Sequence, residues 1–139
     1  MKRIALMLIV SCLFTAKSFS QEASAENPNA PEMTFEKLVH DFGTIPLNGE
    51  AEYEFTFTNT GKEPLIIQSC QSTCGCTVPT CPRDKPILPG QTGSIKVRYT
   101  TTNVAGAFNR PFTVITNAKN SPIRVTIMGE ISRSETAAN

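Results

Sequence analysis

The chain has 139 residues with 13 Lys or Arg, 12 Asp or Glu and a single His, a formal net charge of +1. Such a balance, with no basic stripe, excludes a nucleic-acid-binding protein, whose affinity rests on clustered cations against phosphate. The length suits one domain with a single core.

The first twenty residues read as an export signal. Lys2 and Arg3 give a positive start, Ile4 to Phe14 is apolar apart from Ser11 and Cys12, and Ser18-Phe19-Ser20 presents small residues before Gln21. The apolar stretch is too short for a permanent membrane anchor, and no second span follows it. A second reading takes Ile9-Val10-Ser11-Cys12 as a lipoprotein signal, with Cys12 as the lipidated first residue and the only membrane anchor. Leu13-Phe14 carries the apolar run past that cysteine, which favours the later cleavage. Cleavage before Gln21 leaves 119 residues with 10 basic and 12 acidic side chains, a formal charge of −2, and removes Cys12 so that four cysteines remain. The expected location is the periplasm or the cell exterior.

Residues 21–32 hold no large apolar side chain before Met33 and read as a flexible linker; 133–139 read as a disordered tail. Between them, 33–132 carries strand periodicity. Tyr53, Phe55 and Phe57 alternate with Glu52, Glu54, Thr56 and Thr58. Ile95, Val97 and Tyr99 alternate with Ser94, Lys96 and Arg98, and Ile123, Val125 and Ile127 with Arg124, Thr126 and Met128. Shorter strands are predicted at Phe35 to Val39, Leu65 to Ser69 and Phe112 to Thr116. Asn48-Gly49, Asn59-Thr60-Gly61, Pro89-Gly90 and Asn120-Ser121-Pro122 supply turns. Strands returning about every ten residues without a helical period predict an all-β, immunoglobulin-like antiparallel sandwich of about seven strands.

The densest chemical feature is Cys70-x3-Cys74-Gly75-Cys76-x4-Cys81. In an oxidising compartment these residues are expected to staple the loop that leads to Ile95, about twenty residues rich in Thr, Pro and Gly. Four thiols permit three pairings. A direct Cys74 to Cys76 bridge encloses only Gly75 and would be strained and easily reduced. Crossed or nested bridges in which Cys70 and Cys81 each take a partner are favoured.

Two other chemistries fit the same loop. Cys74 and Cys76, with Cys70 and Cys81, would hold a soft metal such as copper(I), with His40 as a further donor. Zinc fits poorly, because its paired ligands usually stand two to four residues apart. A labile Cys74-Cys76 bridge would instead exchange with client thiols, although no helix or Cys-x-x-Cys motif is present to lower a thiol pKa. No metal is favoured and no cofactor is expected.

Hydrolytic catalysis has little support. There is no Gly-x-Ser-x-Gly, His-Glu-x-x-His or glycine-rich phosphate loop. Glu50, Glu52 and Glu54 fall on the outward face of a strand, and adjacent His40 and Asp41 point to opposite faces.

The segments His40-Asp41-Phe42-Gly43-Thr44-Ile45, Phe57-Thr58-Asn59-Thr60-Gly61, Cys74-Gly75-Cys76-Thr77-Val78-Pro79, Ile87-Leu88-Pro89-Gly90 and Gly129-Glu130-Ile131 together resemble the bacterial domain-of-unknown-function family 1573. The resemblance runs from about Met33 to Ile131. It implies an immunoglobulin-like sandwich similar to those of major sperm protein, cilium-associated proteins and pilus chaperones, and it implies no reaction. Cys74, Gly75 and Cys76 match the family's cysteine motif, whereas Cys70 and Cys81 are additions to it. The expected function is a non-catalytic interaction or structural module of the cell envelope, with an envelope protein of unknown identity as partner. The alternative is a small thiol-redox or copper-binding protein using the Cys70 to Cys81 loop.

Overall fold

The computed structural model describes residues 27–133; the signal segment 1–20, Cys12 and residues 134–139 lie outside the described residues. Eight strands follow one another: β1 (Met33–Phe35), β2 (Val39–Pro46), β3 (Glu52–Asn59), β4 (Ile67–Ser72), β5 (Thr77–Thr80), β6 (Thr92–Tyr99), β7 (Gly106–Thr116) and β8 (Ile123–Ser132). They form two four-stranded sheets, β1-β3-β6-β5 and β2-β8-β7-β4. All pairings are antiparallel except β2 with β8, which is parallel. The fold is thus the expected all-β immunoglobulin-like sandwich.

The alternating strands behave as their period dictates. Phe55 and Phe57 of β3, Ile95, Val97 and Tyr99 of β6, and Val125 and Ile127 of β8 are buried in one core. Their outward neighbours meet solvent: Glu52 pairs with Lys96 at 3.0 Å, and Glu54 accepts a hydrogen bond from Ser94. Partnership with the Glu52 carboxylate holds the Lys96 ammonium above its usual range.

Three expectations need correction. Phe35 to Val39 is not one strand: β1 ends at Phe35, the chain crosses between sheets at Glu36–Leu38, and β2 begins at Val39. The stretch from Cys76 towards Ile95 is not a stapled loop throughout, because Thr77–Thr80 pairs with β6 and Leu65 and Ile87 exchange two backbone hydrogen bonds of 2.9 Å. Finally, the linker expected over 21–32 is packed in its later part. Pro31 is buried, Pro31 O accepts from Lys119 N at 2.9 Å and Lys62 N donates to Asn29 O at 3.3 Å. Backbone pairing does there what apolar side chains would otherwise do.

Asparagine side chains lock the connections. Asn59 is fully buried, its amide donating to the Glu63 and Ile87 carbonyls at 2.8 and 2.9 Å and accepting from Gly61 N and Glu32 N at 3.0 and 3.4 Å. All its capacity is used, as a buried amide requires. Asn120 completes Met33 in the same way, accepting from its N–H at 3.1 Å and donating to its carbonyl at 2.8 Å.

Candidate functional site

The cysteine site forms where the chain passes from β4, an edge strand of one sheet, to β5, an edge strand of the other. Cys70 sits opposite Val114 of β7, whose side chain is buried in the core. Cys70 thus projects between the sheets. It is bonded to Cys81, just past β5, with Cα atoms 6.3 Å apart. Cys74 and Cys76 are bonded to each other in the intervening turn, with Cα atoms 5.3 Å apart. The pairing is nested. It therefore includes the direct Cys74–Cys76 bridge that the single-residue spacing argued against. Spacing cannot reveal that β4 and β5 place Cys70 beside Cys81 and leave the inner pair to one another.

The turn is held without help from sulfur. The Ser72 hydroxyl donates to Cys74 O at 2.9 Å and accepts from Cys74 N at 3.3 Å. The Cys76 carbonyl accepts from Thr100 N at 2.8 Å and from the Thr100 hydroxyl at 3.3 Å. Cys70, Cys76 and Cys81 pack against the core cluster. The Thr77 hydroxyl, on a residue 2% exposed, lies 3.8 Å from Cys74 Sγ. Gly75 is exposed, with open space where a Cβ would stand.

His40 is not brought to this site. It lies on β2, at the opposite edge of its sheet from β4. Its ring stacks on Tyr53 at 3.5 Å between centroids and meets Phe42 and Phe55 edge-on at 4.5 and 6.5 Å. Partial burial, reinforced by the Lys37 ammonium and opposed by the Asp41 carboxylate, holds the imidazole below the usual 6.5. Among the described residues, no group of three or more His, Cys, Asp or Glu is arranged to hold a metal ion.

A second feature escaped sequence reasoning. Gly43 has a φ of 64° and occupies the bulge between Asp41 and Thr44, its N–H bonded to Asp41 Oδ1 at 2.8 Å. A side chain at Gly129 would stand 3.0 Å from both Gly43 O and the Phe108 ring. Together the two glycines open a shallow depression of about 420 Å³, with Asp41, Phe108, Met128 and Glu130 in its lining. Both belong to segments that carried the family resemblance, and a pair of glycines in such segments was the available signal.

The four sheet edges differ in their readiness to pair. Asn120 fills the outer side of β1 at Met33. Cys76 bonds to Thr100 across the β5–β6 ladder, so alternation turns Pro79, which lacks an N–H, to the outside of β5. The Cys70–Cys81 bond crosses from β4 to β5. On β2, Thr126 N bonds to Leu38 O at 2.8 Å, which sets the parallel register and turns the main-chain groups of Val39 and Asp41 outward. Leu38 and Val39 there are 48% and 51% exposed.

Solved structures similar to this chain agree on the fold. A protein of unknown function from Porphyromonas gingivalis W83 superposes with a TM-score of 0.66 at 15% identity, over 78% of this chain and 51% of that one. This chain therefore spans about half of that protein. The ASH/PapD-like domain 7 of human CEP192 has a TM-score of 0.63 at 10% identity, over 96% of this chain and 100% of that one. The Escherichia coli chaperone DraB has a TM-score of 0.51 at 10% identity, over 76% and 56% respectively. A search of curated proteins returned no match. The family model for DUF1573, a protein of unknown function, matches residues 33–131, the whole of the sandwich but its last strand residue, and the chain belongs to that family.

Proposed function

We propose that the protein is an exported interaction module of the cell envelope that accepts an extended segment of a partner protein along the edge of β2. The observation that carries this reading is the difference among the edges. Two are obstructed by an asparagine clamp or a proline and a third is tied to the other sheet by a disulfide, whereas Leu38–Asp41 keeps outward main-chain groups beside exposed apolar side chains. Such an edge is a template for strand addition, where main-chain hydrogen bonds give affinity and alternate side chains give selectivity. The bulge at Gly43 and the proline at Pro46 limit the added strand to the first part of β2. Two disulfides support an extracytoplasmic location, in keeping with the signal-like leader.

A photo-crosslinking residue at Val39, in the full chain expressed in its native host, tests the reading. A discrete adduct at Val39 that is absent when the crosslinker is moved to Thr56, on the outer face of the other sheet, is expected. Equal labelling at both positions, or none at Val39, would contradict it.

A further inference from the structure

We infer that the Cys74–Cys76 bridge is a thiol–disulfide exchange site, with Cys74 as the sulfur that bonds to the partner and Cys76 as the resolving sulfur. The inference rests on the exported, oxidised state proposed above but not on the β2 edge. The two bridges are placed for different work. Cys70–Cys81 joins the two sheets and packs on the core, so opening it frees an edge of the sandwich. Cys74–Cys76 encloses a single residue within a turn. Ser72 and Thr100 already hold that turn through the backbone of Cys74 and Cys76. Opening it therefore leaves the fold in place and the two sulfurs near enough to re-form.

The Thr77 hydroxyl supplies a second, independent observation. It is buried, and its polar neighbour is Cys74 Sγ. A disulfide sulfur cannot donate, so the hydroxyl donates, and a disulfide sulfur accepts only weakly. A thiolate at Cys74 would accept strongly. A buried hydroxyl aimed at a poor acceptor is undersatisfied in the oxidised state and satisfied in the reduced one, which favours thiolate character at Cys74. Cys76 packs on the apolar core and Cys74 does not, so access also falls to Cys74.

The exchange balances without a cofactor. A partner thiolate attacks Cys74 Sγ, the Cys74–Cys76 bond breaks, and Cys76 leaves as a thiolate. The partner's second thiol then gives its proton to the Cys76 thiolate, attacks the mixed disulfide as a thiolate, releases Cys74 as a thiolate and leaves with its own disulfide. Two electrons pass to the cysteine pair, and the reverse sequence oxidises it. The partner is a protein carrying two neighbouring thiols, or their disulfide.

The test exposes the full chain, purified without reductant, to a reduced two-cysteine peptide or to glutathione at graded ratios, followed by alkylation and mass spectrometry. Cys74 and Cys76 are expected to become alkylatable at a thiol-to-disulfide ratio about tenfold or more below that needed for Cys70 and Cys81. Thr77→Val, which keeps the shape of the side chain, should raise the ratio needed for the inner pair and leave the outer one unmoved. A Cys76→Ala chain, whose Cys74 is a free thiol, should hold a mixed disulfide at Cys74 when given the same peptide in its disulfide form, and faster opening of the parent by the reduced peptide than by glutathione would assign the partner to a protein dithiol. Simultaneous opening of both bridges, an inner bridge that resists every ratio, or a Thr77→Val chain indistinguishable from the parent would overturn the inference alone. Four alkylatable thiols at the outset would overturn it together with the exported, oxidised reading.

Discussion

The chain changes sheets at both open sides of the sandwich, and the two crossings are secured by different chemistry. At Glu36–Leu38, between β1 and β2, the crossing is backed by Phe35, His40, Phe42, Tyr53 and Phe55, whose rings meet edge-on or stacked. At Thr73–Cys76, between β4 and β5, the residues from Gln71 to Thr77 include no large apolar side chain. Disulfides stand there in place of rings. A crossing with apolar bulk is closed by burial, which works in any compartment. One made of small polar residues needs a covalent link, and that link exists only where oxidation is permitted.

Truncating the aromatic side should have the largest effect. Phe55→Ala removes a ring 1% exposed and is expected to cost about 3–5 kcal/mol in denaturant unfolding. Replacing Cys70 and Cys81 together by Ala reopens a loop whose ends are 11 residues apart and should cost about 3 kcal/mol. If that pair costs more than Phe55, burial is not the stronger device. Replacing Cys74 and Cys76 together, which are 2 residues apart, should cost no more than about 1.5 kcal/mol, because so short a loop restricts the unfolded chain little. A larger loss would mean that the inner bridge carries the turn.

The smallest effect concerns acidity. Burial and Lys37 hold His40 below 6.5 in the folded chain, so the unfolded state binds the proton more readily. The His40 contribution is therefore complete above pH 6.5 and is lost as pH falls through the lowered folded value. Urea midpoints should decline over that window in the parent and more gently in His40→Phe, which keeps the stacking partner of Tyr53. An unchanged slope in the variant would remove His40 from the account. The cysteine side, with its sulfurs bonded, should contribute no slope there.

The same contrast explains what could be read from the sequence. β3, β6 and β8 were legible because each lies with one face in the core and one in water, so their alternation is clean. β2 was hidden because the bulge at Gly43 breaks the alternation. Phe35 to Val39 looked continuous although the chain crosses sheets inside it. β5 was hidden by Pro79, which argues against a strand unless its missing N–H faces an open edge, a fact that pairing alone supplies. The cysteine density was legible, and the pairing was not, because it follows from the approach of β4 and β5. The Gly43 and Gly129 depression lay in segments already singled out, but its existence depends on two strands adjacent only in space.

Disulfide mapping of the full chain, isolated without reductant and digested under conditions that prevent exchange, tests the central claim most directly. The account predicts Cys70 joined to Cys81 and Cys74 joined to Cys76. Cys70 joined to Cys74 or Cys76, or free thiols at all four positions, would contradict it, because the outer bridge from β4 to the end of β5 and the separate inner pair would then not exist.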